Sequence, residues 1–209
     1  VTADRRHSFL WLDLETTGLD PATGRILEWA VVLAADDAEG DMMPVEEYSS
    51  VVAVPRAVAL GLCDDFVKRM HTANGLFDAC NAATDDPGAD LATAEAFIVD
   101  LIGGEATRGV ILAGSTVHFD LAWIRVHMPT LARCLSHRCF DVSTLKMAER
   151  GWFDATFHVT EDRTVHHRAL PDVLASLVAA KAWREVVAAR SGCDCDHRPQ
   201  CSKYESGGA

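Results

Sequence analysis

Phe9-Leu10-Trp11-Leu12-Asp13-Leu14-Glu15-Thr16-Thr17-Gly18-Leu19-Asp20 places two carboxylates at the end of an apolar run. Side chains of a strand alternate between its faces, so Asp13 and Glu15 project from one face and Leu12 and Leu14 from the other. Trp11 shares the carboxylate face and can cover its apolar part. Thr16-Thr17-Gly18 reads as the end of the strand. Two adjacent carboxylates repel each other unless a cation lies between them, and oxygen donors of this kind suit Mg²⁺ or Mn²⁺. An edge strand with a solvated acidic face carries the same pattern. The reading therefore depends on whether later carboxylates return to this point.

Composition narrows the class. The 209 residues make one ordinary domain, over 1–190, followed by a Cys-rich tail at 191–209. A hydrophobic fraction of 49% supports a large core. No apolar run reaches the roughly 18 residues of a membrane span, and residues 1–7 lead into no long apolar segment, which argues against a signal peptide. The net charge is -12, from 31 acidic and 19 basic residues, and no basic stretch stands out of the kind that grips long nucleic acid by its backbone, so contacts to nucleic acid are expected to be few and helped by metal. Seven cysteines, an odd count, favour a reducing compartment, hence the cytoplasm.

Along the chain, 9–15 and 25–34 read as antiparallel strands joined by the turn Asp20-Pro21-Ala22-Thr23-Gly24. A third strand is expected at 47–54, stopped by Pro55. Residues 56–70 read as partly helical with Gly61 a weak point, 71–76 as a turn with His71 at its entry, and 81–90 as an inserted loop. A helix over 91–102, a buried strand over 110–114 and a helix over 119–126 follow, with Met128-Pro129 as its break. A short strand at 139–142, a helix at 144–150 capped by Ser143, an irregular stretch at 151–164 and a last long helix at 171–189 complete the core. Strands first, then strands mixed with helices, predict an α/β fold with a mixed sheet flanked by helices.

Two further carboxylates are positioned to return. In Ala113-Gly114-Ser115-Thr116-Val117-His118-Phe119-Asp120 a buried strand ends in a small-residue turn, and Asp120 opens the next helix beside the end of the sheet, where ligands of open α/β sheets bind. An acid there also stabilises a helix N-terminus without any ligand. In His166-His167-Arg168-Ala169-Leu170-Pro171-Asp172, Pro171 fits the first helical turn and Asp172 points back from it. A histidine on the preceding loop can enter a site and take a proton from water; a capped helix after a polar loop is the plainer alternative. Together, Asp13, Glu15, Asp120 and Asp172 can surround two divalent ions about 4 Å apart, with His167 receiving the proton, a layout for phosphodiester hydrolysis.

These stretches, with Asp141-Val142-Ser143-Thr144-Leu145-Lys146, resemble the DEDDh 3′–5′ exonuclease family, and within it the oligoribonuclease branch, over about residues 9–185. The resemblance implies a ribonuclease H-like fold. It implies a metal-dependent exoribonuclease that cuts short RNA oligonucleotides to nucleoside 5′-monophosphates, with Mg²⁺ or Mn²⁺ on Asp13, Glu15, Asp120 and Asp172 and with His167, not His166, as general base. It also implies that Leu19 wedges against bases, that Phe66 and His71 line the pocket for the chain end, that Ser143 and Arg138 hold the terminal phosphate, and that two copies form a homodimer. Ser136-His137-Arg138 stands where the family has His-Tyr-Arg, and Phe66 where oligoribonucleases have tryptophan. Action on single-stranded DNA 3′ ends, or binding of nucleic-acid ends without catalysis, are the other readings.

The tail lies beyond the resemblance. Cys193, Cys195, His197 and Cys201 offer three thiolates and an imidazole, a donor set for a structural tetrahedral Zn²⁺. The alternative is a polar terminus whose cysteines do nothing defined.

Overall fold

A computed structural model describes residues 9–36, 42–152 and 167–191. Its five strands form one mixed sheet. The central strand β1 (Phe9–Thr16) pairs antiparallel with β2 (Ile26–Asp36), which pairs antiparallel with β3 (Met42–Val51). On the other side β1 runs parallel to β4 (Val110–Gly114), and β4 parallel to β5 (Leu135–Asp141), giving the order β3-β2-β1-β4-β5. The helices are α1 (Arg56–Leu62), α2 (Asp65–Ala73), α3 (Leu76–Ala82), α4 (Leu91–Leu101), α5 (Val117–His127), α6 (Pro129–Cys134), α7 (Val142–Trp152) and α8 (Ala169–Ser191).

The alternation in β1 sorts the core into two layers. Leu10, Leu12 and Leu14 join Phe77, Ile98, Trp123 and Leu131 on the face covered by α3 to α6. Trp11 joins Ala30, Val32 and Ala113 on the other face, under Val173, Leu177 and Ala180 of α8. Full burial of such side chains contributes about 1.5–3 kcal/mol each. Asp13 and Glu15 follow Trp11 in the same phase, so they face the side that α8 covers. Gly114 lets β4 close on β1: a Cβ there would lie 2.8 Å from the Leu12 carbonyl oxygen.

The mixed sheet and its flanking helices agree with the sequence pattern, but several boundaries differ. β3 begins at Met42, five residues before the expected start, and contains Pro44; an edge strand tolerates a proline because one of its sides needs no N–H donor. The weak point in 56–70 is not Gly61. The helix breaks at Cys63, and Asp64 starts α2 by accepting from Val67 N at 2.8 Å. His71 is not in a turn but inside α2, where it is buried. The 81–90 loop begins in α3 and a 3-10 turn, Ala83–Asp85. Pro129 ends α5 as expected and then opens α6, where its missing N–H costs nothing. Ser143 does not cap α7. That helix begins at Val142, and the Asp141 carboxylate accepts from Ser143 N at 2.8 Å. The stretch expected to be irregular from 151 is still helical at its start, because α7 continues to Trp152; the rest of it, His166 and the tail residues Cys193, Cys195, His197 and Cys201 lie outside the described residues.

Candidate active site

Three elements deliver the carboxylates. β1 carries Asp13, half-buried, and Glu15, which is buried. After β4 the chain turns through Thr116, a non-glycine residue at φ +60°, and the first turn of α5 brings in Asp120. Asp120 is buried, and its Oδ1 accepts from Leu14 N at 3.1 Å, which docks it on the strand between the two β1 acids. The first turn of α8 supplies Asp172, with Asp172 N donating to the Arg168 carbonyl at 3.2 Å. Glu15, His167 and Asp172 each offer a donor atom within 4.8 Å of the others.

Packing acids this closely changes their chemistry. Burial, and then the charges of Asp172, Glu28 and Asp120, push Glu15 up to about 8. Burial also raises Asp120 to about 8, against the opposing pull of the Leu14 N–H. Asp13 is raised well above the usual carboxylate range, by burial and then by Asp120, Glu15, Asp172 and Glu28. A divalent cation among these acids would lower their pKa values again, because its charge favours the ionised carboxylates against both burial and mutual repulsion. The oxygen donors of this cluster fit Mg²⁺ or Mn²⁺.

The loop before α8 is held from two sides. His167 has φ +42°, a left-handed conformation that costs a non-glycine residue about 1–2 kcal/mol. Its carbonyl accepts from Asn74 Nδ2 at 2.7 Å. On the other side Glu28, buried on β2, accepts from Arg168 Nε and Nη2 and, at 2.9 Å, from Ala169 N. Glu28 stands directly opposite Glu15 in the β1–β2 ladder. The Arg168 charge therefore offsets a carboxylate next to the cluster, and it lowers Glu15 in part. Neither Glu28 nor Asn74 stood out in the sequence. A single carboxylate inside the apolar run Ile26-Leu27-Glu28-Trp29-Ala30 was the available signal.

A family model described as Exonuclease matches residues 10–179. The chain belongs to the DEDDh exonuclease family. Oligoribonuclease of Tropheryma whipplei is 32% identical over 176 residues, covering 84% of this chain and 91% of that protein. Oligoribonuclease of Leifsonia xyli subsp. xyli is 34% identical over 178 residues, covering 84% and 82%. Among solved structures, Escherichia coli exonuclease I in complex with a dT13 oligonucleotide superposes with a TM-score of 0.60 at 17% identity, covering 88% of this chain and 43% of that one. Exonuclease I of Methylocaldum szegediense gives a TM-score of 0.60 at 20% identity, covering 86% and 40%. This chain thus spans about two fifths of the exonuclease I chains, and the likeness shows a shared ribonuclease H-like DEDDh fold.

In this DEDDh chain the residues expected to meet substrate fall in different settings. Leu19, just past β1, is 85% exposed, and Phe66 on α2 is 61% exposed, so both present large apolar surfaces to solvent. Arg138 is exposed on β5. Ser143 is half-buried, with its hydroxyl 3.1 Å from that of Thr116. His71 is wholly buried; its Nε2 lies 3.2 Å from the Thr16 carbonyl and 3.7 Å from Glu15 Oε2. Burial lowers its pKa, against the hydrogen bond to Thr16, which favours the protonated ring. In this conformation His71 backs Glu15 from inside the fold and presents no surface to solvent.

Proposed function

We propose that this chain is a metal-dependent 3′–5′ exoribonuclease that releases nucleoside 5′-monophosphates from short RNA oligonucleotides. The observation that carries the reading is the convergence of Glu15, His167 and Asp172, with Asp120 docked on Leu14 N and Asp13 on the same face of β1 as Glu15. Asp13, Glu15, Asp120 and Asp172 would hold Mg²⁺ or Mn²⁺, which when bound supplies Lewis-acid charge at the scissile phosphate. His167 takes a proton from the attacking water. Leu19 and Phe66 present apolar surface against which terminal bases stack, and Arg138 and Ser143 supply donors for phosphate oxygens.

The preference for short RNA is supported by the relatives of this chain that are oligoribonucleases, and by the acidic balance, which disfavours long polyanions. Parallel assays of a labelled RNA dinucleotide, a 20-mer RNA and a 20-mer single-stranded DNA, with Mg²⁺, Mn²⁺ or EDTA, test it. Fastest turnover of the dinucleotide, lost in EDTA, is expected. Faster cleavage of the DNA would move the assignment to DNA ends, and full turnover in EDTA would overturn the chemistry.

A further inference from the structure

Asn74 ties the site to the helical layer beneath it. It ends α2 and precedes Gly75, which at φ +74° turns the chain into α3. Its Oδ1 accepts from Leu76 N at 3.0 Å, and its Nδ2 donates to the His167 carbonyl at 2.7 Å. The chemistry leaves one orientation for the amide: a peptide N–H only donates and a carbonyl oxygen only accepts. The same logic sets the tautomer of His71. The Thr16 carbonyl requires Nε2 to carry the proton, so the Nδ1 lone pair faces Asn74 Nδ2, 3.5 Å away.

We propose that Asn74 is a positioning residue for His167, holding the histidine in its left-handed conformation so that the imidazole stays beside Glu15 and Asp172. The inference rests on the reading of His167 as general base. A left-handed residue followed by a helix start has two anchors here. Glu28 fixes Arg168 and Ala169 on the downstream side, and Asn74 fixes the carbonyl of His167 itself. Without the second anchor the His167 backbone can relax to an ordinary negative φ, and the ring then swings relative to the acids. The Asn74 amide suits this task because its other end is pinned by Leu76 N, so little side-chain freedom is lost on forming the contact.

The competing account is that Asn74 only caps α3. Asn74→Asp separates the two, because a carboxylate still accepts from Leu76 N but cannot donate to the His167 carbonyl. Positioning predicts that Asn74→Asp lowers kcat by about 10–100-fold, the scale of a small misplacement of a catalytic group, while KM stays close to wild type. Asn74→Asp should add little further loss in a His167→Ala background, since Asn74 acts through that ring. Its thermal midpoint should stay near that of wild type. A long-range ¹H–¹⁵N spectrum of the histidine rings, with His167 assigned from His167→Ala, reads position without activity; Asn74→Asp should shift the His167 ring signals. Wild-type kcat and unshifted His167 signals in Asn74→Asp, or an equal loss with and without His167, would overturn the proposal. A wild-type protein without nuclease activity whose His167 signals still shift would overturn the functional reading and leave the positioning contact standing.

Discussion

Glu28 accepts from Arg168 Nη2 at 2.6 Å and from Arg168 Nε at 2.9–3.0 Å, across 140 positions of sequence. Together with the bond from Ala169 N, this pair fixes the start of α8 to β2, and with it the approach of Asp172 to Glu15.

Removing the guanidinium should therefore be costly. Arg168→Met leaves a buried carboxylate without its charge partner and directly opposite Glu15. Because Arg168 is one-third exposed, a loss smaller than that of a fully buried pair is expected, about 1.5–3 kcal/mol in urea unfolding, the scale of hydrogen bonds to a charged group. Glu28→Gln, which keeps an acceptor for Ala169 N, should cost less than Arg168→Met. The opposite order would show that a Glu28 carboxylate left without Arg168 is not the costly state, and would overturn this account of the charge pair.

Stability without metal should fall as pH rises. Glu15 and Asp120 titrate near 8 in the folded protein, against about 4 in an unfolded chain. The folded state then binds more protons between those values, so their contribution is fully present below about 4 and is lost as pH rises through 8. Melting EDTA-treated protein at several pH values from 5.5 to about 8.5, with and without Mg²⁺ or Mn²⁺, checks this. The stabilisation by metal should be largest at the alkaline end. A gap that does not change with pH would show that the acids are not ionised against their own repulsion.

His167→Ala should lower the rate by roughly 10²–10⁴-fold, as loss of a general base does. His166→Ala should cost far less. Equal losses, or the reverse order, would transfer the role to His166. Asp13→Ala or Asp172→Ala should remove activity with the fold retained, read by far-UV circular dichroism.

Gly24 should be less tolerant than its place in a turn suggests. A Cβ there would run into the Trp123 ring, with Thr17 Oγ1 at 2.9 Å, whereas nothing lies within 4 Å of the corresponding position at Gly18. Gly24→Ala should cost about 1–3 kcal/mol by overpacking, and Gly18→Ala should stay within about 0.5 kcal/mol of wild type. Matched thermal melts compare them directly.

The period-two pattern of Phe9–Thr16 was enough to place Asp13 and Glu15 on one face, because alternation is a local property of an extended chain. The strand-then-turn of Ala113 to Thr116 and the proline-led helix start before Asp172 were legible for the same reason: each is written in neighbouring residues. These local signals, with the family resemblance, also named the mixed sheet and its flanking helices. His71 was misread as a turn residue because His71-Thr72-Ala73-Asn74-Gly75 does end in a breaker, but the breaker acts only after Ala73. Whether Gly24 serves a turn or a close approach cannot be told from its neighbours, since Trp123 is far along the chain.

The sequence alone determined the residue types of the acidic cluster, the strand and helix termini that carry them, and the face on which the first two stand. Tertiary structure decided what holds them in place: Asp120 on Leu14 N, Arg168 on Glu28, Asn74 on the His167 carbonyl and His71 behind Glu15. Each of these contacts joins residues more than fifty positions apart, and periodicity or turn chemistry reads only neighbours. Partners at that separation are selected by the packing of the sheet against its helices, and so they emerge only in the folded chain.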